Sequence, residues 1–150
     1  MKKVTCLIAI LASFCVCSFA EKTFNTEQLA LRNSLKSFLQ TEGFVPTIDS
    51  DGDIKFKRNG DTYYILVSDN NKSPMYIKLA KYFNYSETVT KTKINLYAAE
   101  VNLYKMVKLS AQDNSYSIGA ELYLTSSSAF TSIFYRLLDV MDDAESELKK

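Results

Sequence analysis

Asp53-Ile54-Lys55-Phe56-Lys57-Arg58-Asn59-Gly60-Asp61-Thr62-Tyr63-Tyr64-Ile65-Leu66-Val67-Ser68 reads as a β-hairpin. Ile54 and Phe56 alternate with Lys55 and Lys57, the two-residue period of a strand with one apolar face. Asn59-Gly60 supplies the two residue types that best tolerate the positive φ of a tight hairpin turn. Thr62 to Ser68 is rich in aromatic and β-branched residues, which suit a half-buried pleated surface.

Outward from the hairpin the same logic gives more strands. After the polar stretch Asp69 to Pro74, Met75 to Tyr85 alternates. Ile77, Leu79 and Phe83 share one side, and Tyr76, Lys78, Ala80 and Tyr82 share the other. Lys105 to Ser110 and Tyr116 to Leu124 flank a turn at Asp113-Asn114-Ser115, with Ile118, Ala120, Leu122 and Leu124 facing inward.

Three segments change to helical period. Asn25 and Gln28 form a capping box, and Phe24 can staple onto Leu29. Leu31, Leu35, Phe38 and Leu39 follow at helical spacing, while Gly43 and Pro46 end the segment, so a helix is expected over about residues 25 to 42. Ile94, Tyr97, Ala98 and Val101 predict a second helix within Thr88 to Leu103. Ser126-Ser127-Ser128 caps a third, whose apolar stripe is Phe130, Ile133, Phe134, Leu137, Leu138 and Met141. Its acidic end (Asp142, Asp143, Glu145, Glu147) opposes the helix dipole, so fraying is expected beyond Ala144. The order α-β-β-β-α-β-β-α implies an α+β fold. It is a two-layer domain with a mainly antiparallel five-stranded sheet and three helices on one face.

The first twenty residues have the pattern of a secretory leader. Lys2 and Lys3 precede an apolar run from Val4 to Phe19, and Ser18-Phe19-Ala20 offers small residues for cleavage before Glu21. The expected mature protein is a single domain, residues 21–150, placed in the periplasm or secreted from a bacterial envelope. No second run of about 18 apolar residues follows, so no membrane span is expected after cleavage. The leader contains all three cysteines (Cys6, Cys15, Cys17), and the chain has no histidine. The mature protein therefore has neither thiol nor imidazole, and packing rather than disulfides must stabilise it. The 18 basic residues less Lys2 and Lys3, against 17 acidic ones, leave a formal charge of −1. That balance gives no global attraction to nucleic acid.

Several chemistries lack their residues. Serine catalysis has no histidine base. Zinc would need oxygen ligands alone. A Gly-rich phosphate loop cannot be built from Gly43, Gly52, Gly60 and Gly119. Asp49-Ser50-Asp51-Gly52-Asp53 suggests calcium, but the sixth and twelfth positions of such a loop would be Ile54 and Gly60 rather than Gly and Glu, so it reads as a turn. Glu100, Glu121 and Asp139 are the acids most embedded in apolar sequence. Paired across a cleft they could hydrolyse a polymer of the envelope, although each also fits the solvent side of its element. No catalytic residue, metal or cofactor is expected.

The chain resembles the YbjN family, whose fold is similar to that of type III secretion chaperones. The resemblance rests on Phe38-Leu39-Gln40-Thr41-Glu42-Gly43-Phe44, Asp51-Gly52-Asp53-Ile54-Lys55-Phe56 and Tyr63-Tyr64-Ile65. Ala99-Glu100-Val101-Asn102 followed by Val107-Lys108-Leu109 adds to it. The match covers about residues 28 to 143. It implies an α+β domain that binds protein segments, often as a dimer, and has no catalytic site.

All ten tyrosines follow the leader. With the strand faces as assigned, Tyr76, Lys78 and Tyr82 share an outer face with Lys55, Lys57, Lys108 and Tyr123. The expectation is a non-enzymatic interaction module that binds a protein partner on this face or at a sheet edge, through Tyr76, Lys78 and Tyr82. The alternatives are the carboxylate hydrolase and a homodimeric structural protein that uses the same face.

Overall fold

The computed structural model describes residues 23–68, 72–101 and 106–150. The expected leader, Asp69 in the polar loop, and Lys105 at the start of the expected fourth strand lie outside them, as does the end of the second helix beyond Val101.

The chain runs α1 (Thr26–Thr41), β1 (Thr47–Ile48), β2 (Ile54–Arg58), β3 (Asp61–Val67), β4 (Met75–Asn84), α2 (Lys91–Val101), β5 (Lys108–Ala111), β6 (Ser115–Leu124), α3 (Ser127–Thr131) and α4 (Phe134–Leu148). The strands form one antiparallel sheet in the order β1-β2-β3-β4-β6-β5. The α+β class and the antiparallel sheet match the expectation; among the described residues the sheet has six strands rather than five, and the helices number four rather than three.

α1 begins and ends as its residues dictate. The Asn25 side chain accepts from the Gln28 backbone N–H (2.9 Å), and the Gln28 side chain accepts from the Asn25 N–H (2.7 Å). Such a cap stabilises by about 1 kcal/mol. At the other end Gly43 takes φ +86°, its N–H bonds to Gln40 O (3.1 Å), and the Phe44 N–H reaches back to Leu39 O (2.9 Å). This paired closure needs the left-handed residue that glycine supplies. Leu31, Leu35 and Leu39 turn inward, and buried Gln28 donates to Ser68 O at the end of β3.

The hairpin joins β2 and β3 through Asn59 (φ +53°) and Gly60 (φ +90°), with Arg58 opposite Asp61. β1 is the unexpected strand. Thr47 and Ile48 pair with Lys55 and Ile54 because the acidic loop folds tightly back: the Asp49 carboxylate accepts from the N–H groups of Asp51 (3.0 Å) and Asp53 (2.9 Å). Two residues are too few for alternation to show in sequence.

The expected third helix is divided. Thr131 and Ser132 turn their hydroxyls onto the carbonyls of Ser128 (3.1 Å) and Ala129 (3.0 Å), which competes with continuation of the helix. Ser126 does not cap α3 with its side chain; its hydroxyl meets that of Ser128 at 2.9 Å. The expected fraying beyond Ala144 is also corrected. α4 continues to Leu148 because Leu148 is fully buried and Glu145 points into the protein toward Lys81.

The core lies between the helices and one sheet face. Phe56, Tyr63, Ile65, Leu79 and Ile118 meet Leu35, Leu39, Phe134, Leu138 and Met141 there. Phe134 is an aromatic hub, with ring centroids 5.2 Å from Phe38, 5.9 Å from Phe56 and 5.5 Å from Phe130. No described helix is long and apolar enough to cross a membrane.

Candidate functional site

All helices share the core side, so the other sheet face has no helical cover among the described residues. Strand alternation decides what it presents. Lys55 and Lys57 come from β2, Tyr64 from β3, and Tyr76, Lys78 and Tyr82 from β4. Glu121 and Tyr123 come from β6, and Lys108 from β5. The sequence-derived residues Tyr76, Lys78 and Tyr82 are thus alternate positions of one central strand. The shared face with Lys55, Lys57, Lys108 and Tyr123 follows from the observed register.

Each tyrosine of β4 has an aromatic neighbour on the next strand. Tyr76 meets Tyr123 (centroids 5.5 Å apart, rings at 60°), and Tyr82 meets Tyr64 (5.6 Å, 73°). Tyr123 is 73% exposed and Tyr82 41%, so both pairs offer apolar ring surface to solvent. Between them the floor is small: Ala80, Gly119 and Ser117 are buried. Gly119 lets the neighbouring strand's side chain approach closely, since a Cβ would lie 2.7 Å from Lys78 Cε and 3.1 Å from Leu79 O. The lysine stem therefore lies flat over the glycine, covering apolar floor with methylenes.

The electrostatics of the face follow from one carboxylate. Burial alone would raise the pKa of Glu121, but its bond to Lys108, the nearby Lys78 and the Tyr76 hydroxyl outweigh that and hold it below the usual carboxylate range. The reciprocal effect pushes Tyr76 up to about 12, through burial first and then the Glu121 charge and hydrogen bond. Tyr82 is raised too, by burial and by Asp53. These hydroxyls remain protonated donors at physiological pH.

The hydrolase alternative finds no convergence. Glu121 stands on the open sheet face, paired with Lys108. Asp139 is on the helix side, 3.7 Å from Arg58, and Glu100 is exposed on α2. An open cleft of about 530 Å³ between α1, the start of β4 and α3 is lined by Leu31, Met75, Leu124 and hydroxyls such as Ser34 and Ser127, and Glu27 is the only acid among the described residues that line it. Among the described residues no group of potential metal ligands comes together.

Sequence reasoning missed a second charged cluster. Lys81 is 1% exposed on the core side of β4. Its ammonium donates to Asp61 (2.7 Å) and to Glu145, and lies 3.6 Å from Asp142. Tyr63 OH donates to Asp142 at 2.6 Å, and Arg58 pairs with the same carboxylate. Burial would lower the Lys81 pKa, but the bonds to Asp61 and Glu145 win and raise it. A lysine held charged is not a nucleophile, and its ion pairs tie β3, β4 and α4 together. Its signal was present: Ile77, Leu79, Lys81 and Phe83 share one strand parity, while Asp139, Asp142 and Glu145 recur every three residues on α4.

Fold and site together define a helix-backed antiparallel sheet whose second face displays tyrosine and lysine. Two solved structures are similar to this chain in fold alone. One belongs to the HopA1–SchA chaperone–effector complex, at a TM-score of 0.57 and 12% identity, covering 83% of this chain and 99% of that one. The other is an uncharacterized protein from Methanothermobacter thermautotrophicus, at 0.55 and 13%, covering 79% and 96%. The fold is therefore similar to that of a chain in a chaperone–effector complex, which agrees with the fold that the sequence resemblance implied. No family model, that of YbjN included, and no curated protein matches the chain.

Proposed function

We propose that this protein is an exported, non-enzymatic binding module that holds a segment of another protein on its open sheet face. The observation that carries the reading is the pair of tyrosine couples, Tyr76–Tyr123 and Tyr64–Tyr82, exposed on a face that no helix among the described residues covers. Tyrosine gives large contact area at low entropic cost, and lysine orients the partner. The chaperone-like fold, shared with a structure from a chaperone–effector complex, supports the same reading. The basic-then-apolar start of the chain, ending in Ser18-Phe19-Ala20, supports export to the periplasm or beyond.

The test is affinity capture from an envelope extract with tagged protein, wild type and the double variant Tyr76→Ser/Tyr82→Ser. The wild type is expected to start at Glu21 and to retain a partner. The variant is expected to lose that partner while keeping its circular dichroism spectrum. Undiminished capture by a folded variant removes the face assignment.

A further inference from the structure

The open face is basic, whereas the helix layer behind it ends in acid. Lys55, Lys57, Lys78 and Lys108 lie on the face. Its acids are Glu121, already neutralised by Lys108, and Asp53, which is 8% exposed. Lys55 and Lys57 have no carboxylate partner among the described residues, Lys78 shares Glu121 with Lys108, and Lys55 sits 5.9 Å over the Tyr64 ring. On the far side, α4 carries Asp139, Asp142, Asp143, Glu145 and Glu147. Asp142 and Glu145 are paired with Arg58, Lys81 and Lys149, and Glu147 with Lys150, so the field that a partner meets comes from the lysines of the open face. Such a field turns an approaching charged partner toward one side.

We propose that the occupant of this face is an acidic segment of a partner protein, its carboxylates seated on Lys55, Lys57 and Lys78 and its apolar side chains on the two tyrosine couples. The inference rests on the binding role proposed above and names its partner chemistry. Glu121 shows the mode internally: a carboxylate beside Lys108 and Lys78, near the ring of Tyr76. Four strand spacings separate β2 from β5, about 19 Å, so the lysines span a footprint suited to a short peptide segment. A basic segment would meet unpaired ammonium groups, and like charges across an interface are costly.

The experiment uses dye-labelled synthetic peptides that alternate glutamate, or in the control lysine, with leucine and tyrosine. Fluorescence anisotropy against the mature protein is expected to show at least about tenfold preference for the acidic peptide, weakening as salt is added. Lys55→Glu/Lys57→Glu/Lys78→Glu, in protein that keeps the wild-type circular dichroism spectrum, is expected to reverse the preference, and Lys55→Glu/Lys57→Glu alone to abolish it. Equal affinity for both peptides, no binding of the acidic one, or a preference unchanged in the charge-reversed protein overturns the proposal. So does equally tight binding of a single-stranded oligonucleotide or of anionic vesicles, which marks a general polyanion surface. Tyr76→Ser/Tyr82→Ser separates the two levels. If it abolishes binding of both peptides when they bind equally, the face stands and the acidic partner falls. If it leaves the acidic peptide bound as before, the face itself is wrong.

Discussion

Lys81 sits among leucine and phenylalanine positions on the inward side of β4, and carboxylates from β3 and α4 make that placement tolerable. Removing one member of such a pair leaves the other buried and uncompensated, at a cost of about 3–5 kcal/mol. Lys81→Met should therefore destabilise the fold by up to about 3 kcal/mol, since buried Glu145 keeps only its bond to the exposed Lys149. Adding Glu145→Leu should recover most of the loss, because two apolar side chains can replace a buried pair. Urea unfolding of the single and double variants checks this; a double variant no more stable than the single one removes the ion pair as the cause. Strand parity alone placed Lys81 inward, but no sequence rule said that α4 would lie opposite with Glu145 at the matching height. Tyr76, Lys78 and Tyr82 were legible for a simpler reason: alternation on one strand is a local property.

Among the elements, the two candidate helix caps behave differently. Asn25 forms both bonds of its capping box, so Asn25→Ala should cost about 1 kcal/mol. Ser126 makes no side-chain cap bond, so Ser126→Ala should stay within about 0.5 kcal/mol of wild type. Thermal unfolding of both variants tests the contrast, and equal losses contradict it. Most elements were readable because their signals are short in range: the Asn59-Gly60 turn, the Leu31-Leu35-Leu39 stripe, the closure at Gly43. β1 was not, since two residues carry no period, and only the fold of the Asp49–Asp53 turn brings them against β2. The break between α3 and α4 was hidden because Phe130 and Phe134 keep helical spacing across it. The Thr131 and Ser132 hydroxyls that interrupt the helix gave the usable hint.

For the whole molecule, the proton inventory points to alkaline sensitivity. Burial raises Tyr63, Tyr82 and Tyr116, and raises Tyr76 to about 12, while its carboxylate partners raise Lys81. A group that binds its proton more tightly in the folded state stabilises fully below its unfolded pKa and loses that contribution as pH rises through the folded value. The melting temperature should thus fall between about pH 10, the ordinary tyrosine value, and about pH 12. Tyr76→Phe should flatten part of that decline, and an unaltered slope would show that Tyr76 takes no part in it. Glu121 works in the opposite direction: its depressed pKa contributes above the ordinary carboxylate value and is lost as pH falls through the folded one. By itself the sequence determined the α+β class, the antiparallel hairpin, the helix stripes and the side of β4 on which Tyr76, Lys78 and Tyr82 stand. These follow from periods of two and 3.6 residues and from the few residues that accept positive φ. Only the tertiary structure decided which strands neighbour β4, that Tyr64 and Tyr123 complete the tyrosine couples, and that Lys81 meets Glu145. Those depend on contacts between residues distant in the chain, where packing and desolvation choose among arrangements that local patterning leaves equal.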